Sequence, residues 1–218
     1  MQTGSFCRFG LVLLLCALGS SGCRNTYYAS WEKLGVYKRD LLKKKVLAAR
    51  EGQKEAGDQF KDALTRLKEL YTFDGAKLEK SYSALQGDYD RSVDRAEAVR
   101  KRIKDMETVA DDLFTEWEKE IIQISTPSLQ AGSRGQLRDT RSRYDSMHAA
   151  LKRAEQSMQP VLGQLRDHVL YLKHNLNAEA IASLNRGEAA NIQTEISRLL
   201  VEMNASIGQA DEFINAMP

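Results

Sequence analysis

The sequence predicts an all-α protein, an elongated antiparallel coiled-coil bundle of four long helices that follows an N-terminal lipoprotein signal peptide. Only three of the 218 residues are proline, and the 28% that are charged are nearly balanced in sign, which is typical of long helices and coiled coils. Apolar residues also recur at alternating spacings of four and three, and such a stripe requires partner helices in a left-handed supercoil. The near-neutral charge argues against nucleic acid as a partner.

The amino terminus has the pattern of an exported protein. Phe9 to Gly19 is apolar over about eleven residues, whereas a spanning helix needs about twenty, and a run of small residues then leads to Cys23. This pattern indicates a short secretory signal. We expect residues 1–22 to be removed, residues 23–33 to form a lipidated anchor and tether, and residues 34–218 to form the bundle.

Lipidation of Cys23 fits the use of cysteine in the chain. Cys7 and Cys16 fall in the removed segment, so a lipid would cap the single thiol left in an oxidising compartment. Ser20 stands where lipoprotein signals usually have Leu, Val or Ile, so an ordinary signal peptide and a free Cys23 are the alternative. Arg24 follows the cysteine instead of Asp, which favours the outer membrane over the inner one.

The first two helices are defined by their apolar stripes, and Asp74 and Gly75 favour a tight reversal between them. The stripe of the first helix has one polar member, Gln53, and comprises Leu42, Val46, Ala49, Gln53, Ala56, Phe60, Ala63, Leu67 and Leu70. The second helix, from about 76 to 125, presents Leu78, Tyr82, Leu85, Tyr89, Ser92, Ala96, Val99, Ile103, Met106, Ala110, Leu113, Trp117, Glu120 and Ile124.

The last two helices follow a reversal at Ser125-Thr126-Pro127, since Pro is accepted in a first helical turn. Pro160 predicts a kink in the third helix. Asn175 to Asn177 predict its end and the cap of the fourth, and the alternative is that the third helix runs on to Gly187. The third stripe is Leu137, Tyr144, Met147, Leu151, Ala154, Met158, Val161 and Leu165. The fourth is Ala189, Ile192, Ile196, Leu199, Met203, Ser206, Ala210, Phe213 and Met217.

Aromatic and basic residues next to the anchor form a candidate membrane-proximal patch. Rings of this kind prefer the depth of lipid headgroups, and basic side chains are attracted to anionic lipids. The alternative is that the rings cap the bundle core and the lysines are simply solvated. The patch comprises Tyr27, Tyr28, Trp31, Tyr37, Lys38, Arg39, Lys43, Lys44 and Lys45.

A second candidate is the 168–177 cluster, at the predicted end of the third helix, which we consider as a partner-binding tip or simply a capped reversal. Its residues are His168, Tyr171, Lys173, His174, Asn175 and Asn177. His148, His168 and His174 lack the paired Glu-x-x-His spacing of di-iron bundles. We therefore expect neither a metal nor another cofactor, and no set of residues predicts a catalytic site.

Four segments resemble an uncharacterised family of bacterial lipoproteins that is classed as a domain of unknown function. They are Cys23 to Gly35, the Phe73-Asp74-Gly75 turn, Gln136 to Arg141, and Leu170 to Asn177. The resemblance covers essentially the whole mature chain. It implies a Gram-negative origin and an exported helical protein, and it brings no catalytic residues.

The functional expectation is a non-enzymatic outer-membrane lipoprotein that faces the periplasm and serves as a helical spacer or docking protein for an envelope component. The alternative is a lipid-interacting protein that uses the membrane-proximal patch and its amphipathic helices. Tyr82 and Tyr89 on the second stripe also leave open a homo-oligomer. Salt separates the first two, because electrostatic lipid binding weakens as ionic strength rises.

Overall fold

The structure is a computed structural model that describes residues 37–71 and 78–217, apart from the side chains at 178 and 184–189. The predicted signal peptide, Cys23, the three aromatic residues Tyr27, Tyr28 and Trp31, and the predicted reversal at Asp74 and Gly75 lie outside the described residues. Contacts divide the chain into two units, Met1–Leu41 and Leu42–Pro218. The second unit contains all but the first four residues of the helices described below.

The described residues are all α-helical apart from short connections, as the sequence predicts. The helices are α1 (Lys38–Tyr71), α2 (Leu78–Gln123), α3 (Pro127–His174) and α4 (Ala178–Ala216). The predicted helix from 76 to 125 is confirmed to within two residues at each end. The uncertain boundary between the third and fourth helices falls at Asn175 to Asn177, where the sequence placed it.

The apolar stripes form the core. All nine predicted positions of α1 are buried, including Gln53, and so are all eight of α3. In α4, the stripe from Ile192 to Met217 is likewise buried. Each helix therefore presents its stripe to its neighbours, and burial of these side chains supplies the main stabilising free energy.

In the stripe of α2, Leu78, Tyr82 and Tyr89 are only half-buried, and the other predicted positions are buried as far as Ala110. Beyond it, Phe114 and Ile121 are buried, whereas Trp117 is half-buried and Glu120 is exposed. A strict seven-residue repeat drifts by about 20° per heptad around a straight helix. The buried side of α2 has therefore moved by one residue at its C-terminal end.

Side-chain contacts show which helices are neighbours in Leu42–Pro218. Glu118 of α2 contacts Arg141 of α3, and Tyr144 of α3 packs against Phe213 of α4. Further along the chain, Arg100 of α2 contacts Glu155 of α3. Because rising numbers on α2 meet falling numbers on α3, these two helices run in opposite directions in the helical bundle.

α1 contacts α2, α3 and α4. Lys45 and Arg66 of α1 contact Asp105 and Asp88 of α2, 3.1 and 3.4 Å apart. Arg50 of α1 lies 3.2 Å from Asp211 of α4. α1 also contacts α3, because Gln53 Nε2 donates a hydrogen bond to the carbonyl oxygen of Leu151 at 3.1 Å.

The N-terminal ends of α3 and α4 differ in their side-chain capping. Asn177 caps α4, because its side-chain oxygen accepts a hydrogen bond from the amide of Ala180 at 2.9 Å. Thr126 stands at the N-cap of α3, but its side chain makes no capping bond. α3 continues through Pro160 as one helix, and the kink predicted there stays a prediction.

Candidate functional site

Buried carboxylates join the helices at two places. Asp88 on α2 is only 3% exposed and contacts Arg66, Arg91 and Gln59, whose Nε2 lies 3.2 Å from its Oδ1. Two cations and an amide thus compensate one carboxylate that is removed from water. Such pairing is what a buried charge requires, so this arrangement fixes the position of α1 against α2.

Glu155 on α3 is the second buried carboxylate, also 3% exposed. Its Oε1 accepts from Nε of Arg100 on α2 at 2.8 Å, and its Oε2 accepts from Nζ of Lys152 at 3.2 Å. Both oxygens are satisfied by cations that keep contact with solvent. The geometry is that of an interhelical ion pair.

An aromatic cluster surrounds Tyr144 where α2, α3 and α4 meet. The ring of Tyr144 packs edge-on against Phe114 and Phe213 and is stacked on His148 at 5.7 Å. His148 Nε2 lies 2.6 Å from Glu107 Oε1. Burial raises the pKa of the Tyr144 hydroxyl well above its usual value, and nearby carboxylates, Glu107 first, raise this pKa further.

Shallow grooves run between neighbouring helices and are open to solvent. One, of about 330 Å³, lies between α3 and α4 and is lined by charged side chains such as Arg153, Arg198 and Glu202 around Pro160. Ligand pockets of comparable volume are usually concave and mostly apolar. This groove offers charged walls instead, and Glu202 is already bonded to Ser157.

Metal-ligating side chains are not brought together in the described part of the chain, where no group of three or more His, Cys, Asp or Glu could hold an ion. His168 is buried, with Nδ1 2.8 Å from the carbonyl oxygen of Gln164. His148 faces Glu107 on α2. No described helix is long and apolar enough to cross a membrane.

The described part of the membrane-proximal patch is divided between surfaces and ion pairs. Tyr37 is exposed, Lys44 is exposed, and Arg39 lies 3.8 Å from Asp40. Lys45 instead pairs with Asp105 on α2. That last lysine therefore holds α1 against α2, which the charge pattern alone did not indicate.

The 168–177 cluster is also divided. His168 is buried against Tyr71, whereas Tyr171, Lys173 and His174 are exposed. Asn175 donates from its side chain to the carbonyl oxygen of Tyr171 at 3.0 Å, and Asn177 caps α4. The asparagines thus act as caps at a reversal, and the exposed members leave a small polar surface beside them.

Sequence reasoning missed the hairpin end, which we define as Ile121 to Ser133, the last turn of α2, the connection and the first turns of α3. Ile122 and Leu129 are 73% and 64% exposed there. The signal was present in the sequence, because these thirteen residues include no charged side chain in a chain that is 28% charged. The Gln130 amide crosses the connection and donates to the carbonyl oxygens of Ile121 and Ile124.

Comparison with known proteins gives one family. A family profile described as "Protein of unknown function (DUF2959)" matches residues 27–217. No curated protein and no solved structure matches the chain significantly.

Proposed function

Because the chain belongs to the DUF2959 family, whose function is unknown, its role is argued from its own residues, and we propose that it is a non-enzymatic outer-membrane lipoprotein. Its helices would form an elongated antiparallel coiled-coil bundle that serves as a periplasmic spacer or docking protein for an envelope component. Cys23, after the short apolar segment, would carry the lipid.

The observation that carries this proposal is the length of the helices and the continuity of their buried stripes. α2 and α3 have 46 and 48 residues, and at about 1.5 Å per residue each spans about 70 Å. Ion pairs of α2 with α1 and α3 recur along it, from Asp88 to Glu118. Long paired helices of this kind suit a part that holds two envelope components at a distance.

The test of the proposal is metabolic labelling of the full chain with a clickable fatty acid, followed by separation of inner and outer membranes. We expect label on the mature chain in the outer membrane. The control, Cys23→Ala, should lose both the label and its enrichment in the outer membrane. An unlabelled wild-type chain in the soluble periplasmic fraction would contradict the proposal.

The docking role is tested separately by photo-crosslinking in cells from exposed positions on α3 and α4. Val201 is 68% exposed and suits a photoreactive residue, and the 168–177 cluster offers Lys173 as a second position. We expect each crosslink to join the chain to a defined envelope protein. If the crosslinks join the chain only to lipid, and to no protein, the result would favour the lipid interaction described below.

The second candidate function is lipid interaction through the membrane-proximal patch. It is favoured by the exposure of Tyr37 and Lys44. Binding of this kind should weaken as salt rises from about 0.05 to 0.5 M. Vesicle binding by a Cys23→Ser chain at low and high salt measures it, and unchanged binding across that range would exclude the patch.

A further inference from the structure

We propose that the hairpin end, Ile121 to Ser133, is a second membrane contact, and that its apolar side chains enter the headgroup region of the phospholipid bilayer to which the chain is anchored. The identity of that bilayer rests on the proposed function. The contact surface itself is argued from the described residues, and none of them belongs to the membrane-proximal patch.

The first observation is the exposure of large aliphatic side chains at one turn. Ile122 on the last turn of α2 and Leu129 on the first turn of α3 are two of the most exposed large apolar residues in the described part of the chain. Their neighbours Ile121 and Gln130 hold the connection together. An exposed pair on a braced turn presents apolar surface in a fixed geometry.

The second observation is the missing charge. No Asp, Glu, Lys or Arg occurs between Glu120 and Arg134. Charged side chains are costly to place among lipids, whereas Ile, Leu, Ser and Gln enter the interface at little cost. A solvated turn needs no such restriction, and the rest of the mature chain has no uncharged run as long.

The third observation is the position of the hairpin end within Leu42–Pro218. Phe114, Tyr144 and Phe213 mark the last layer shared by α2, α3 and α4. α4 ends three residues later, at Ala216, whereas α2 continues for nine residues, to Gln123. At about 1.5 Å per residue, α2 extends about 14 Å beyond this layer. A bilayer that approaches this end would therefore contact the uncharged turn before the rest of these helices.

Side chains behind the turn suit the headgroup level. Trp117 is half-buried, and its indole nitrogen donates to Ser133 Oγ at 2.9 Å, and tryptophan favours the interface. Lys119 and Arg134 are exposed on the two helices, with Glu120 between them. Because the charges nearly cancel, apolar contact should drive binding, and salt should change it little, in contrast to binding by the membrane-proximal patch.

The anchor is long enough to permit this contact. Lys38, where α1 begins, follows Cys23 by fifteen residues, which can span up to about 50 Å. The start of α1 also lies toward the hairpin end, because Lys45 near that start pairs with Asp105, in the half of α2 that leads to the hairpin end. A bilayer holding Cys23 is therefore within reach of Ile122, whereas a soluble protein partner would require a complementary surface of its own.

The test places an environment-sensitive nitrobenzoxadiazole label at Ile122→Cys in the full chain, which is purified from membranes and reconstituted in vesicles of phosphatidylcholine and phosphatidylglycerol. The matched control is Val201→Cys, which replaces an equally exposed aliphatic residue of α4. We expect the label at 122 to shift to the blue and to be quenched by acyl-chain-brominated lipid. The label at 201 should keep the emission of a probe that is surrounded by water.

Equal signals from the two labels in the reconstituted protein would overturn the proposal. A blue shift at 122 that needs no vesicles would also overturn it, because the turn would then contact protein or a second copy. Mass spectrometry of the same samples reports whether Cys23 carries lipid. An unmodified Cys23 would refute the proposed function and would itself take the label. In that case the label at Ile122→Cys in the Cys23→Ser chain, with vesicles added, still decides the contact at the hairpin end.

A second measurement removes the apolar side chains. In the Cys23→Ser chain, the double substitution Ile122→Ser and Leu129→Ser should lower vesicle partitioning on the order of tenfold. Val201→Ser should leave partitioning unchanged. All three positions are exposed, so the fold should persist, which circular dichroism checks. An equal effect of the control, or no loss in the double variant, would contradict a membrane contact at the hairpin end.

Discussion

Single residues in this bundle act mainly by compensating buried charge. Asp88 illustrates this, because its carboxylate is buried while Arg66 and Arg91 keep their guanidinium groups partly in water. Water cannot take the place of the buried carboxylate, whereas it can take the place of either partly exposed arginine. Loss of the carboxylate should therefore cost more stability than loss of either arginine.

Replacing Asp88 by Asn should lower the free energy of unfolding by about 1 to 3 kcal/mol, because Arg66 and Gln59 then face a neutral group. The matched control is Asp90→Asn, an exposed carboxylate two residues away, which should change stability by less than about 0.5 kcal/mol. Urea unfolding followed by circular dichroism measures both. Equal effects would show that Asp88 does not join α1 to α2.

Tyr144 predicts a loss of stability at alkaline pH. Its pKa is raised in the folded protein, so this contribution is fully present below the unfolded value of about 10 and is lost as pH rises further. Above pH 10 the wild type should lose up to about 1.4 kcal/mol per pH unit more than Tyr144→Phe does. Urea midpoints between pH 9 and about 11.5 test this, with the exposed Tyr171→Phe as control.

At the level of helices, the ends are where the sequence was most informative. Asn177 accepts the amide of Ala180 and begins α4 in an extended conformation. Thr126, equally suitable by residue type, makes no such bond. The connection at Thr126 is instead held by Gln130, whose side-chain amide donates to the carbonyl oxygens of Ile121 and Ile124.

Asn177→Ala should destabilise the protein by about 1 kcal/mol, since the first turn of α4 loses its side-chain acceptor. Asn177→Asp keeps an acceptor and should preserve stability. Asn191→Ala, at an exposed position inside α4, serves as a control. Thermal unfolding of the three variants measures the effect, and a loss in Asn177→Asp equal to that in Asn177→Ala would show that the cap contributes nothing.

The helices also show how far periodicity predicts burial. The stripe of α1 was correct at every position, including Gln53, because its buried face is surrounded by other helices along its length. The stripe of α2 was correct only from Leu85 to Ala110, with Tyr89 half-buried, and it failed from Leu113 onward, where Phe114 packs against Tyr144. Spacing sets which residues share a face, but the position of the neighbouring helices decides which face is buried.

For the molecule as a whole, the order of helices around the bundle is the feature that the sequence could propose but not settle. Short connections favour contacts between helices that follow one another in the chain, whereas a contact between α1 and α4 joins the first and the last of the described helices. Arg50 and Asp211 provide that contact at 3.2 Å. The candidate sites were harder to predict than the order of the helices, since Lys45 and His168 contact partners on other helices that only the packing brings close.

The contact between α1 and α4 is tested with cysteines at Arg50 and Asp211 in a chain whose own cysteines are Ser. A short bis-maleimide should link the two positions within one chain, which peptide mass spectrometry detects. The control pairs Arg50 with Glu195, sixteen residues from Asp211 along α4 and about 24 Å away by helical rise. Efficient linkage in the control, or only between chains in the test pair, would contradict a contact between α1 and α4 within one molecule.

The uncharged hairpin end has a practical consequence for footprinting. Trypsin cuts after Lys and Arg, and it finds neither between Lys119 and Arg134. The residues from Glu120 to Arg134 therefore leave the digest as one fifteen-residue peptide that contains the end of α2, the connection and the start of α3. In a mass-spectrometric comparison of free and membrane-bound protein, protection of the turn is read from that single peptide.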